Sequence, residues 1–349
     1  MLSMKPLVSI LIPAYKAERW IAETIRSAIG ETYARKEIIV VDDGSPDQTA
    51  AVARQFASKE VTVVSTDNQG AVAARNYAFS LCQGDYIQWL DADDILAPDK
   101  IERQVAAMKA GESRKILLSS SWAPFYYRTH KARFICTALC QDLTPADWLI
   151  HKMSGNLHMQ TATWLTSREL CEAAGKWNSQ MLSDDDGEYF CRVLLKSEGT
   201  RFVPGTGVFY RTVTTDRLSH IGNSEKKRDA MFLSMQLHVQ YLRSLEDSER
   251  VRKACLTYLQ NWFHNFFPDR PDIVGRLQVL AAELGGELKA PQLRWKYAWM
   301  RHFLGWKAAQ SAQSTIPKLK AACIRNCDRA IYQLESRDAV QDIPILKRA

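Results

Sequence analysis

The sequence predicts an α/β protein, a mainly parallel sheet flanked by helices, followed by an all-helical C-terminal region. Three observations carry that expectation. Across residues 8–90 four short apolar runs alternate with stretches of helical spacing, which is how a parallel sheet covered on both faces reads. Three of those runs stop abruptly at turn-forming or acidic residues. From about Ser224 onward the apolar residues keep a helical period only.

Val8-Ser9-Ile10-Leu11-Ile12 is a buried strand that stops at Pro13-Ala14-Tyr15. Trp20, Ile21, Ile25, Ala28 and Ile29 then recur at helical spacing up to Gly30. The second strand, Glu37 to Val41, ends in Asp42-Asp43-Gly44-Ser45-Pro46, and a helix through Phe56 leads to the third, Val61 to Val64. Asn68-Gln69-Gly70 opens an Ala-rich helix over 68–83 that carries Arg75. The fourth strand, Tyr86 to Leu90, runs into Asp91-Ala92-Asp93-Asp94. Asp91 and Asp93 project to one side of an extended backbone. Paired carboxylates repel and are costly to desolvate unless a cation lies between them. Mg²⁺ or Mn²⁺ suits such oxygen donors and completes its shell with water and phosphate. The other reading of the stretch is a solvated acidic turn or helix cap.

After a helix at 98–110 the pattern is less regular. Ile116 to Trp122 reads as a strand, and Phe125 to Ile135 as a hairpin-like excursion with Arg128, Lys131 and Arg133 facing solvent. Thr144-Pro145 is a helix start, because Thr caps and Pro suits the first helical position. Gln160 to Leu165 reads as a further strand, preceded by a lone His158 of structural or pocket-lining kind. Ser183-Asp184-Asp185-Asp186 opens a helix over 187–197, where acids at an N-terminus also have a plain capping role. Val203 to Arg211 follows that helix. Beyond it, Met231, Met235, His238, Val239 and Leu242 form one core stripe, and Cys255, Tyr258, Leu259, Trp262 and Phe266 another.

Composition narrows the class. The chain of 349 residues is 46% hydrophobic and 24% charged, an ordinary globular balance. No run of 18 apolar residues occurs, so a spanning helix is not expected. The eight cysteines contain no Cys-x-x-Cys pair, the histidines are scattered, and no export signal is evident, so reduced thiols in a cytoplasmic protein are expected rather than zinc. The net charge of +7 lies wholly in residues 287–349, which hold 12 basic and 5 acidic residues; residues 1–286 hold 34 of each. A neutral first part does not fit a nucleic-acid enzyme.

Taken in order, these pieces resemble the family-2 glycosyltransferases of A-type (GT-A) fold. Pro13-Ala14-Tyr15 after the first strand, Asp42-Asp43-Gly44-Ser45 after the second, Asn68-Gln69-Gly70 leading to Ala74-Arg75-Asn76, and Asp91-x-Asp93 after the fourth carry the resemblance over residues 7–100. It implies a Rossmann-like sheet in a GT-A domain over 1–222, with a nucleotide-sugar half at 1–100 and an acceptor half at 101–222. A helical region over 223–349 with the basic tail 287–349 follows. It implies that the loop Pro13, Ala14 and Tyr15 holds the nucleoside, with Tyr15 over the base, Asp43 accepting from a uracil imide and Asp42 nearer the ribose. Arg75 becomes a nucleotide-side or carboxylate-orienting cation, its alternative being a surface helix arginine. Asp93 is the main Mg²⁺ or Mn²⁺ ligand, Asp91 touches the sugar or completes the metal shell, and Asp94 caps a helix near Pro98.

Asp185-Asp186-Gly187-Glu188 up to Arg192 resembles the acceptor-side motif of the family, in which Glu, Asp, a bulky residue and an acid precede an Arg. Asp185 then stands where the family has Glu, and Gly187 where an aromatic is usual. The resemblance makes Asp186 the general base on the acceptor hydroxyl, with Asp185 beside it, and a shift of one position in that assignment stays open. Arg211 or His220 would meet the diphosphate, under a flap at 212–223. The implied reaction is inverting transfer from a nucleoside-diphosphate sugar, here a UDP-sugar, to a saccharide or lipid-linked acceptor in cell-surface polysaccharide or oligosaccharide assembly. A non-catalytic nucleotide-sugar-binding or scaffold protein is the alternative, and a phosphatase using the same Asp-x-Asp pair a weaker one. Trp295, Trp299 and Trp306 share a helical face flanked by Arg294, Lys296, Arg301 and Lys307, with no acid between 291 and 308. That makeup fits peripheral contact with the inner face of a membrane, against an alternative of packing on the helices before it.

Overall fold

A computed structural model describes residues 5–109, 111–213, 224–291, 303, 313, 315–317 and 319–335. Residues 292–302 and 304–308 of the tryptophan-rich segment, its three tryptophans included, and residues 214–223 of the loop, with His220, lie outside those residues.

The core strand is β1 (Val8–Ala14), whose Val8, Ile10, Leu11 and Ile12 have no exposed surface. Burying each of these side chains contributes roughly 1.5–3 kcal/mol, so a run without polar alternation belongs at the centre of a sheet. Helix α1 (Ile21–Ile29) lays Ile21, Ile25 and Ala28 on the sheet. It is followed by β2 (Lys36–Asp43), α2 (Thr49–Arg54), β3 (Val61–Thr66), α3 (Ala71–Leu81) and β4 (Tyr86–Trp89). Strands β3, β2, β1 and β4 lie side by side, all parallel. The chain leaves β1 toward β2 and returns on the other side as β4. The carboxyl ends of β1 and β4 therefore flank a crevice where the strand order reverses, which is where such sheets bind ligands.

Directly after β4 come β5 (Ile95–Leu96), α4 (Lys100–Ala106) and β6 (Ile116–Phe125). Helix α5 (Pro145–Gly155) starts as its sequence predicts, with the Thr144 hydroxyl accepting from the Asp147 amide at 3.2 Å and Pro145 in the first turn. The expected strand at 160–165 is instead a 3-10 turn over Thr161–Thr163, with only Thr166–Ser167 (β7) pairing antiparallel to β4. Gln160 forces that turn: its side chain accepts from the Ala162 amide at 2.6 Å, a local bond that competes with a ladder. Helices α6 (Arg168–Ala174) and α7 (Asp185–Lys196) lead to β8 (Gly199–Arg211), which completes a second sheet in the order β5-β8-β6. The 125–135 excursion turns at the 3-10 segment Thr129–Lys131 and comes back to β6 through one antiparallel bridge, the Ile135 amide donating to the Trp122 carbonyl at 2.8 Å. Arg128, expected from the sequence to face solvent, is covered by Asp328 and Glu335.

The helical region comprises α8 (Glu225–Leu245), α9 (Glu249–Trp262) and α10 (Pro271–Glu283), with a further helical stretch over 319–335. Both sequence stripes face inward: Met231, Met235, His238, Val239, Leu242, Cys255, Tyr258, Leu259 and Phe266 are buried, and Trp262 is partly buried against them. They join one apolar core that runs from Val8 to Leu288, so the sheets and these helices share an interior. All eight cysteines are free.

Candidate active site

The loops after β1 and β2 hold each other. The Lys16 amide donates to Ser45 Oγ at 3.1 Å, and the Ala17 amide to Thr49 Oγ1 at 2.7 Å. Lys16 takes a left-handed conformation (φ 51°), uncommon for a side-chain-bearing residue and typical of ligand loops. Beside it the Tyr15 ring is 46% exposed, with the Lys16 ammonium 5.2 Å from its centre. Asp42 and Asp43 are buried at the end of β2. Asp42 Oδ1 accepts from the Ser45 amide at 3.3 Å. Asp43 accepts from the Gln69 and Gly70 amides at 2.9 and 2.8 Å, one on each oxygen, while its carbonyl takes the Asn68 side chain at 2.9 Å. The Asp-Asp-Gly and Asn-Gln-Gly motifs are thus two halves of one bonded unit. Gly44 completes it at φ +64°, where an added Cβ would stand 2.7 Å from the Asn68 amide nitrogen.

Across the crevice, Arg75 on α3 joins the strand-end acids to the helix-start acids. Its Nη2 donates to Asp91 Oδ1 at 2.9 Å, its Nη1 forms an ion pair with Asp185, and the guanidinium lies 4.5 Å from the centre of the Trp177 ring. Burial alone would ease loss of its proton, but Asp185, Asp91 and Asp186 outweigh that and hold its pKa well above the ordinary range. The alternative of a surface arginine is therefore set aside, since Arg75 is buried.

Asp185 and Asp186 are the first two residues of α7, where unpaired amides and the helix dipole favour negative charge. The two face different partners. Asp185 is buried; burial pushes its pKa up to about 6 against the pull of Arg75, with Asp186 and Asp91 adding to the rise. Asp186 is less buried, and its Oδ2 accepts from the Thr161 hydroxyl at 2.9 Å. His158 stacks near Trp122, ring centres 4.8 Å apart, and burial lowers its pKa while Asp186 opposes the shift. Protonating Asp185 releases Arg75, so turnover should fall as pH drops through about 6. Stability runs the other way. The folded pKa is raised above the unfolded value of about 3.9, so this group favours folding at low pH and loses that contribution as pH rises through about 6. A pH–rate profile that stays flat down to about pH 5 would contradict the assignment.

The break from the family pattern at Gly187 has a steric cause. Asp184 caps α7 in a left-handed conformation (φ 57°), and its Oδ2 accepts from Ser234 Oγ at 2.5 Å. Its Oδ1 would lie 2.0 Å from a Cβ at position 187. Glu188 and Arg192 pair in a bidentate bond at 2.7 and 2.8 Å, with Tyr241 OH donating to Glu188 at 2.9 Å. Helix α8 thereby supports the start of α7 at two points, Ser234 and Tyr241.

Two expectations for this region are corrected. Asp94 caps no helix: α4 starts at Lys100, and the buried Asp94 carboxylate accepts from the Arg211 amide at 2.9 Å and the Gln160 side chain at 2.5 Å. Arg211 does not reach toward a diphosphate. It is buried between the Trp20 and Phe125 rings, at 4.1 and 4.5 Å, pairs with Glu23, and donates from Nε to the Asp93 carbonyl at 2.8 Å. Its work is to clamp the 91–94 turn. Gln160, Thr161, Trp177 and Ser234 were not singled out from the sequence; the only local signal was a polar run inside an apparent strand at 160–163.

Among the described residues no three His, Cys, Asp or Glu side chains form a metal cage. The extended backbone expected at Asp91 and Asp93 is instead a turn: β4 ends at Trp89 and the Asp94 amide donates to the Asp91 carbonyl at 3.1 Å. The carboxylates of that turn still suit a hard cation that keeps most of its shell for water and phosphate, and Asp91 uses only Oδ1 on Arg75.

The parallel sheet, with acids gathered at its switch point, has the GT-A fold. Residues 9–125, about a third of the chain, match the model of glycosyl transferase family 2. It is 37% identical over 154 residues to TuaG of Bacillus subtilis, a candidate teichuronic acid biosynthesis glycosyltransferase, covering 43% of this chain and 55% of that one. S. aureus TarS 1-349 in complex with UDP-GlcNAc superposes with a TM-score of 0.65 at 17% identity, covering 80% of this chain and 82% of TarS. The mannosyltransferase PcManGT from Pyrobaculum calidifontis, in complex with GDP-Man and Mn²⁺, gives 0.51 at 17% identity over 93% and 88% of the two chains. Likeness at such identities shows the fold. The chain spans about half the length, or less, of the curated relatives it matches.

Proposed function

We propose that the protein is an inverting, metal-dependent glycosyltransferase that moves a sugar from a nucleoside-diphosphate sugar, a UDP-sugar, to a hydroxyl of a saccharide or lipid-linked acceptor. The observation that carries this reading is the Arg75 bridge, which brings the donor-side Asp91 and the acceptor-side Asp185 and Asp186 into one crevice. Residues 1–222 form the transferase unit and 223–349 its helical support. Tyr15 covers the base. Asp42 and Asp43 face the nucleoside with the lone pairs that the loop amides leave over. Asp186 takes the acceptor proton as the hydroxyl oxygen attacks the anomeric carbon, the bond to the diphosphate breaks, and one displacement inverts the centre. Thr161 orients the Asp186 carboxylate, and Asp185 keeps Arg75 charged and fixed beside it. Asp93 and Asp91 would hold Mg²⁺ or Mn²⁺, which supplies neutralisation of charge on the departing diphosphate.

Support for a nucleotide-sugar donor comes from the fold shared with UDP-GlcNAc-bound TarS, and for the ion from the Mn²⁺ complex of PcManGT. Polysaccharide or lipid-linked oligosaccharide assembly on the cytoplasmic side is the setting proposed. No helix among the described residues is long and apolar enough to cross a membrane. Release of nucleoside diphosphate from a panel of sugar nucleotides, with and without Mn²⁺, tests the proposal; no release from any donor would overturn it. Asp93→Ala should abolish metal-dependent turnover while leaving the unfolding free energy within about 0.5 kcal/mol, since it removes a loop carboxylate rather than core packing. Full activity of that variant with metal still required would remove Asp93 from the ligand set.

A further inference from the structure

Lys100 opens α4, yet it has no exposed surface, and neither have Gln88 on β4 and Gln104 one turn further along α4. An amine closed off from water must place its N–H groups on protein acceptors. Lys100 Nζ donates to the side-chain oxygen of Gln104 at 2.7 Å and to that of Gln88. Burial works against its proton and the Glu31 carboxyl works for it, but even a neutral amine keeps two N–H groups, enough for both bonds. With their oxygens committed to Lys100, the two carboxamides turn their nitrogens away from it. Gln88 Nε2 donates to the Ala162 carbonyl at 2.8 Å and the Trp89 carbonyl at 2.7 Å, and Gln104 Nε2 to the Thr163 carbonyl at 3.0 Å. One buried amine thus sets the direction of bonds that hold two consecutive residues of the turn after Gln160.

That turn carries the Thr161 hydroxyl bonded to Asp186. Its own bonds, the Thr163 amide on the Gln160 carbonyl at 3.0 Å and the Ala162 amide on the Gln160 side chain, fix its shape and not its place. Its ends are placed by Gln160 on Asp94 and by the antiparallel bridge between Leu118 and Leu165. Its middle is placed by the two glutamines, with Ser120 Oγ adding a bond to the Thr163 carbonyl at 3.1 Å. A carboxylate that is to take a proton must lie within hydrogen-bond reach of it, and a small misplacement slows the step. We propose that Lys100 is a positioning residue: through Gln88 and Gln104 it seats the 161–163 turn, and so sets the Thr161 hydroxyl against the Asp186 carboxylate. Being fully buried, Lys100 touches no substrate itself. The inference rests on the reading of Asp186 as the base of transfer.

The test is UDP release from the UDP-sugars of the donor panel with Mn²⁺, read as kcat and donor KM beside UDP affinity and the denaturant midpoint. Lys100→Met should lower kcat by about tenfold or more and leave donor KM and UDP affinity within about twofold of wild type, because only the acceptor side moves. Gln104→Met keeps the amine and its bond to Gln88, and so guards against a Lys100→Met that does not fold; its kcat should fall by about threefold or more. Thr161→Val should lower kcat too, and adding Lys100→Met or Gln104→Met to it should cost less than about twofold more, since all act through one contact. The midpoint, by contrast, should drop in either background. Losses of kcat that multiply, or wild-type kcat in both Lys100→Met and Gln104→Met, overturn the proposal while leaving Asp186 as the base. Asp186→Asn separates the two readings. No release by the wild type, or full release by Asp186→Asn, removes the base and this inference with it.

Discussion

Asp186→Asn should lower sugar transfer by about two orders of magnitude or more while donor binding persists. The amide keeps the size and the hydrogen bond from Thr161 but cannot take a proton from the acceptor hydroxyl. The nucleotide side, built from the loops at Tyr15, Asp42 and Asp43, is untouched, so the loss should appear in turnover rather than in nucleotide affinity. Asp185→Asn is the needed contrast. Its carboxylate is turned into Arg75, so its loss should disturb Arg75 and Asp91 together and weaken donor binding along with turnover. An active Asp186→Asn beside a dead Asp185→Asn that binds donor normally would exchange the two roles.

Arg75→Met should cost about 3–5 kcal/mol of stability and abolish transfer, because it strands Asp91 and Asp185 without their shared cation. That is a large share of the roughly 5–15 kcal/mol available to a folded domain. The deficit should shrink below about pH 6. Without Arg75 only the Asp186 backbone hydrogen bond opposes the upward push of burial on Asp185, so the folded state holds its proton more tightly and gains as pH falls. Arg75→Lys should fall between the two, since one ammonium cannot span both carboxylates or lie flat on Trp177 as a guanidinium does. Denaturant midpoints at about pH 5 and pH 8 read both effects; a midpoint for Arg75→Met equal to wild type would remove Arg75 from its structural role.

What the amino-acid order determined by itself is the local part. Apolar runs without alternation read as strands of a covered sheet, so β1 to β4 and the helices between them follow from residues 8–90, with β3 half-exposed at the sheet edge, and the period of the stripes past 224 gives the inward face of α8 and α9. The acids at 91 and 93 were legible because a strand end places them at the crevice. Tertiary structure decided the rest, because a side chain's partner is set by contacts far along the chain. Arg75 and Asp185 meet across 110 positions, and no periodicity relates them. Asp43 reads as a ligand acid, yet folding gives each of its oxygens an amide from the next loop but one. Arg211 looks like a cation for phosphate, and two aromatic rings with Glu23 make it the clamp of the 91–94 turn instead. Gln160 to Thr163 has the residues of a strand. It turns because Gln160 bonds its own backbone, and because Asp94 and the Asp186 carboxylate, on other elements, need the polar groups that the turn presents.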